Sequence, residues 1–139
     1  MPASTYSLPT WIERHAASNR PDLLGFLFGN HHRPKWLSSY FARQVPNPDP
    51  VMIFPIYESV MGVYDMSGSV SERLSECWPT YPNLRWHSSG SWADGGPESI
   101  FKVQGGNGSP PDSTSDSIGF RLVLRMDGGH SLDSSHPPP

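Results

Sequence analysis

Ile118 to Met126 carries the clearest pattern in the chain. Ile118, Phe120, Leu122, Leu124 and Met126 alternate with Gly119, Arg121, Val123 and Arg125. Successive side chains of an extended backbone point to opposite faces, so the pattern predicts a strand with the first set turned to the core. On that reading Phe120→Ala opens a large cavity and costs about 3–5 kcal/mol. A helical period holds nearer the start. Thr10-Trp11-Ile12-Glu13 has an N-cap Thr with Glu at the third helical position, and Trp11, Ile12 and Ala16 follow near helical spacing. Asn19-Arg20-Pro21-Asp22 offers a second start before the apolar patch Leu23, Leu24, Phe26, Leu27 and Phe28. Pro34 offers a third, with Trp36, Leu37, Tyr40 and Phe41 spaced to share one face. The prolines of Val45-Pro46-Asn47-Pro48-Asp49-Pro50 deny the backbone donors that helix and sheet need, so an extended linker is expected there.

Beyond the linker the pattern is weaker. Val51–Phe54 and Leu84–His87 are short strand candidates, and the glycines within 62–68 ask for a turn. Residues 93–117 are rich in Gly, Pro, Ser, Asp and Asn, with room for one short strand at Ile100, Phe101 and Val103; loops of that length are functional or disordered. After Met126 no apolar pattern remains. The expected organisation is a helical arm and linker at 1–50, serving as a docking segment, a core at 51–126 and a disordered tail at 127–139.

Composition narrows the classes. In 139 residues, 17% are charged and 35% hydrophobic, with 16 Pro and 13 Gly, which suits one modest domain of short strands and long connections. The net charge of −3 comes without a Lys/Arg cluster, which argues against nucleic acid as a partner. No apolar run is long enough to cross a bilayer, and Met1–Ser7 lacks the features of a secretion signal. The single cysteine, Cys77, excludes an intrachain disulfide. His31-His32 matches no metal-ligand spacing on a helix or strand and reads as a surface turn.

Three segments carry a resemblance. Gly62-Val63-Tyr64-Asp65-Met66-Ser67-Gly68-Ser69-Val70-Ser71-Glu72, Ser89-Gly90-Ser91-Trp92 and Ile118-Gly119-Phe120-Arg121-Leu122-Val123 occur in that order. Together they resemble the C-terminal half of the domain shared by formylglycine-generating, sulfatase-modifying enzymes and their non-catalytic relatives, over roughly 51–125. The resemblance implies an α+β fold of reduced C-type-lectin-like type, with short strands, long loops and a helical N-terminal arm. It also implies a structural role for Tyr64, Asp65, Gly68, Trp92, Gly119, Phe120 and Arg121, with Trp92 buried and Arg121 ordering a neighbouring loop.

The departures from the usual family motif matter equally. Met61 stands for a Tyr, Ser69 for an Asn, and Ser71 and Arg73 for Trp. The Asn and Glu of that motif help bind calcium in some members; only Glu72 is kept, a thin ligand set for a hard cation. Catalytic members carry two copper-binding cysteines shortly after the Gly-Ser element, and 92–99 contains none. The resemblance therefore implies the non-catalytic branch, which includes the variable proteins of diversity-generating retroelements and the phage major tropism determinant. There a Gly-Ser-Trp to Ile-Gly-Phe-Arg segment brackets the binding face.

These features lead to a non-enzymatic expectation, with no metal and no cofactor. A ligand-binding or display module offers the 93–117 loop, through Asp94, Glu98, Lys102, Asn107, Asp112 and Asp116, to a host-surface protein or glycan. Trp11, Trp36, Tyr40 and Phe41 dock it into an oligomer or larger assembly, with a phage tail or capsid as the setting. The alternative is a purely structural cement or decoration subunit. A residual metal-dependent oxidoreductase is a third possibility, which metal analysis would detect.

Overall fold

The computed structural model describes residues 4–18, 26, 39–40, 47–95, 101–102 and 105–126. The second and third helix starts lie outside these residues apart from Phe26, Ser39 and Tyr40, as does the tail from 127.

Strand β1 (Ser4–Ser7) leads into helix α1 (Trp11–Ser18). The helix starts as its sequence demands. Glu13 Nα–H donates to Thr10 Oγ1 at 3.2 Å, and Thr10 Nα–H returns to Glu13 Oε2 at 2.7 Å, a reciprocal capping box. Strands β2 (Ser71–Trp78) and β3 (Tyr81–Ser88) form an antiparallel hairpin with register shifts after Arg73 and Cys77. β4 (Gly106–Ser109) adds antiparallel to β3, and the two-residue β5 (Ile118–Gly119) adds parallel to β2, giving the sheet order β4-β3-β2-β5. β6 (Val123–Met126) leaves this sheet and pairs antiparallel with β1.

The N-terminal elements are tied into the rest of the fold. β1 pairs with β6, and the Trp11 ring stacks on Trp86 of β3 at 5.9 Å, with Trp78 edge-on to Trp86 at 5.7 Å. Arg125 holds Glu13 at 2.6 Å, linking β6 to α1. The expected boundary at residue 50 therefore does not separate 4–18 from the core. Trp11 is correspondingly spent within the chain, against Trp86 and His15, and is not a free docking anchor.

Three further expectations change. Val51–Phe54 is a turn followed by a 3-10 turn at Pro55–Tyr57, with Met52 in the left-handed region and its Nα–H held by Asp65 Oδ2 at 2.9 Å. The short strand in the long loop is Gly106–Ser109, whereas Phe101 is a buried side chain outside any strand. Ile118–Met126 is two strands with the opposite facing to the one expected. Phe120 is 67% exposed, and Leu122, Leu124 and Met126 are also exposed, while Arg121, Val123 and Arg125 are half-buried. Arg121 turns in to meet the buried Glu72 and Arg125 meets Glu13 in a half-exposed pair, and alternation then places the apolar set on the other side. Phe120 is accordingly not part of the buried scaffold.

Among the described residues the large buried apolar side chains are few: Pro9, Phe26, Met66, Leu74 and Phe101. Ala17, Phe54 and Val63 pack on Met66. Much of the remaining interior is serine, bound to backbone groups of the turns described next.

Candidate functional site

Two Ser-Gly-Ser tripeptides, 67–69 and 89–91, face each other across the interior. Gly68 Nα–H donates to Ser89 Oγ at 3.1 Å, and Ser71 Oγ donates to Ser89 O at 3.0 Å. Ser67 Oγ donates to Phe101 O. Short hydroxyl side chains can satisfy turn backbones that no ladder reaches, which explains why serine is buried here. Gly90 is required by contact: a Cβ there would meet the Phe101 ring at 2.5 Å. Trp92 Nα–H donates to Ser69 O at 2.7 Å, and its indole Nε1–H reaches Asp116 O at 3.4 Å. Trp92 is half-buried rather than enclosed, because its indole braces the far end of the loop.

The motif turn is fixed by a buried ionic node. Glu72 Oε2 accepts from Arg14 Nε at 2.9 Å, and both Glu72 oxygens accept from Arg121 Nε at 2.8 Å. Arg14 and Glu72 side chains are only 2% and 7% exposed. The same guanidiniums hold the turn backbone: Arg14 Nη2 donates to Met66 O at 2.8 Å, and Arg121 Nη2 to Tyr64 O at 3.2 Å and Asp65 O at 3.4 Å. Burial pushes Arg14 below the ordinary guanidinium range, and the Glu72 carboxylate opposes that shift. Tyr64 donates its hydroxyl to Glu58 Oε2 at 2.7 Å, which raises its phenol pKa. Asp65, Ser69 and Gly68 adopt positive φ (57°, 61° and 79°), the turn that the glycine-rich motif called for. Gly119, in β5, pairs with Glu72 across the parallel ladder.

This geometry decides the fit of two metals implied by the resemblance. Both Glu72 oxygens are taken by two guanidiniums, so the carboxylate is no calcium ligand. A copper site built on two thiolates cannot form in a chain with one cysteine. The described residues contain no group of His, Cys, Asp and Glu suited to an ion.

The loop candidates do not converge. β4 and β5 are the outer strands of the four-stranded sheet, so the chain from 110 to 117 must cross β3 and β2 to join them. Asn107 lies on β4 at one margin, exposed, with its Oδ1 accepting Gly108 Nα–H. Asp112 and Asp116 are exposed on the crossing segment. Asp94 is engaged internally: its Oδ2 accepts from Ser91 Nα–H at 2.7 Å and Ser91 Oγ at 2.6 Å. Lys102 is half-buried, and Glu98 lies outside the described residues. Of the docking candidates, Tyr40 is half-exposed with its Nα–H on Asp94 O at 3.2 Å; Trp36 and Phe41 lie outside the described residues. Sequence reasoning missed Arg14, whose partner lies 58 positions away. It also missed the serine interior, whose visible signal was the repeated Ser-Gly-Ser.

Among the described residues, one short α-helix against curled mixed sheets, with β1 paired to β6, defines an α+β protein of C-type-lectin-like fold. The chain belongs to the sulfatase-modifying factor enzyme 1-like domain family, whose sequence profile matches residues 2–126. The match extends the resemblance to the N-terminal segment, in keeping with the β1–β6 pairing. No curated protein matches the chain in sequence. Solved structures share the fold: CarF (TM-score 0.67, 24% identity, 88% of this chain and 48% of that one) and PvdO from Pseudomonas aeruginosa (0.71, 23%, 87% and 52%). Treponema denticola variable protein 1 does so as well (0.70, 20%, 86% and 47%). The chain spans about half the length of each. No helix among the described residues is long and apolar enough to cross a membrane.

Proposed function

We propose that this chain is a non-catalytic binding module that presents the 93–117 segment to a macromolecular ligand, a host-surface protein or glycan, from a phage tail or capsid. The observation that carries this is the exposed 110–117 crossing, anchored at both ends by main-chain bonds and bearing Asp112 and Asp116 outward. Ser113 Nα–H donates to Pro110 O and Ile118 Nα–H to Ser115 O, and the hydroxyls of Ser113, Ser115 and Ser117 bond within the chain, so the segment is shaped from inside while Asp112 and Asp116 stay exposed. Fold likeness to a variable protein supports a binding role, and the resemblance to the bracketed binding face of the tropism determinant supports the virion setting. The lone cysteine and the internally neutralised Glu72 weigh against residual oxidoreductase chemistry. The test is an array of surface glycans and host-envelope proteins probed with the chain and with its Asp112→Asn/Asp116→Asn variant. Hits confined to the parent support the proposal; no hits, or hits kept in full by the variant, refute it.

A cementing role is favoured by a different observation. Tyr6 and Leu124 are direct cross-strand partners, as are Ser4 and Met126, and Tyr6, Phe120, Leu122, Leu124 and Met126 are all exposed. In our proposal a second copy of the chain covers this uncharged face, since an apolar patch can satisfy itself across a two-fold axis. Light scattering should find a dimer that Leu124→Lys converts to a folded monomer. A parent that stays monomeric at high concentration excludes it.

A further inference from the structure

Beside the β2–β3 hairpin is an open cavity of about 400 Å³ lined by Leu8, Arg73, Leu74, Ser75, Arg85 and Pro111. Its cations are uncompensated. Arg73 donates through Nη2 only to Ser113, at its carbonyl and at Oγ (3.2 Å), and its Nη1 is buried without a hydrogen-bond partner. Arg85 donates through Nη1 to Ser75 O at 3.2 Å and lies 3.9 Å from Cys77 Sγ. Among the described residues neither guanidinium meets a carboxylate; the ion pairs found there belong to Arg14, Arg121 and Arg125. Register keeps the two on neighbouring strands, Arg73 opposite His87 and Arg85 opposite Cys77. The remaining walls, Leu8, Leu74 and Pro111, are apolar.

We propose that this cavity is a binding site for a carboxylate borne on a short apolar stem. A guanidinium fork matches a carboxylate in plane and spacing, and an unpaired buried donor gains most from such an acceptor. The volume lies at the lower end of small-molecule sites and suits a group the size of an acylated branched amino acid. The apolar walls select the stem, which a bare oxyanion lacks. Pro111 and Ser113 place the crossing segment over the site, yet none of the loop's acidic side chains takes part. The site therefore goes beyond the display function, and either can fail without the other.

The experiment is an NMR titration of the full chain, following the β2 and β3 backbone amides. N-acetyl-leucine should bind saturably. N-acetyl-leucinamide and inorganic phosphate should each bind at least about tenfold more weakly, the loss expected when a charged bidentate contact or the apolar contact is removed. Arg85→Gln, at an exposed position, should fold normally and lose about tenfold in affinity for the acid. Arg73→Lys keeps the charge and loses the fork, and should weaken the acid by a similar factor. A peptide ending in a leucine carboxylate that binds better than N-acetyl-leucine would identify a chain terminus as the source of the same chemistry. Equal binding of acid and amide, phosphate binding as well as the acid, or unchanged affinity in folded Arg85→Gln would each overturn the proposal.

Discussion

Glu72 and Arg73 are neighbours on β2 and live in opposite electrostatic worlds. On one face a single buried carboxylate sits between two guanidiniums, and those two guanidiniums also donate to the carbonyls of Tyr64, Asp65 and Met66. On the other face Arg73 and Arg85 line a cavity with no carboxylate among the described residues. A charge-paired cluster tied to backbone is a structural device: it fixes a turn that a sparse apolar core does not fix. Charges left without a counter-ion beside apolar walls are available to something else. The same strand thus separates what holds the fold from what remains free to bind.

The comparison can be broken most forcefully at Glu72. Glu72→Gln leaves the buried Arg14 and the half-buried Arg121 side by side without their counter-charge, and should cost about 3–5 kcal/mol. Arg73→Gln, one residue along, removes only the half-buried contact to Ser113 and should cost about 1 kcal/mol. Urea melts of both variants check the ratio; equal losses would mean that the two faces are not different in kind.

Apolar positions sharpen it next. Leu74→Ala should cost about 2–5 kcal/mol by cavity formation, whereas Phe120→Ala should cost under about 0.5 kcal/mol. Measured on dilute protein, this pair separates the true core from the outward face of 118–126.

The outward face also shows how far the sequence could be read. Its period of two was legible, but period alone does not say which set faces in, and arginine is ordinarily assigned outward. Here Arg121 and Arg125 find Glu72 and Glu13, contacts made by residues 49 and 112 positions apart, which no local pattern reveals. β2, Ser-Glu-Arg-Leu-Ser-Glu-Cys-Trp, was missed because its buried side carries a charge. β4, Gly-Asn-Gly-Ser, has no strand propensity; glycine is tolerated there because a Cβ on Gly106 would meet His87 O at 2.6 Å. The capping box and the glycine turn were legible because both are local. The motif segments located the node, and the Arg in place of Trp at position 73 was the visible sign of a changed opposite face.

A smaller effect concerns His87, opposite Arg73. Burial first, and the Arg73 charge second, hold its pKa below the ordinary 6.5. The unfolded chain therefore takes up this proton more readily, and stability should fall as pH drops through 6.5 toward the folded pKa. His15 is shifted the same way, by burial and by Arg14, so His87→Gln should flatten the pH dependence without abolishing it. Arg73→Gln should raise the His87 pKa, observed by NMR titration of the imidazole; an unchanged value would place Arg73 elsewhere. The smallest effect is backbone strain: Ser69 sits at φ 61°, and Ser69→Gly should stabilise by about 0.5–1 kcal/mol, seen as a higher melting temperature.

The division between holding and binding is tested most directly by one paired measurement on Asp112→Asn/Asp116→Asn, thermal melt beside ligand array. Both residues are exposed on the crossing segment, and neither side chain belongs to the Glu72 node. The melt should superimpose on that of the parent while the parent's array hits disappear. A lowered melting temperature with the hits intact would contradict it, making the crossing segment part of the scaffold and placing recognition elsewhere.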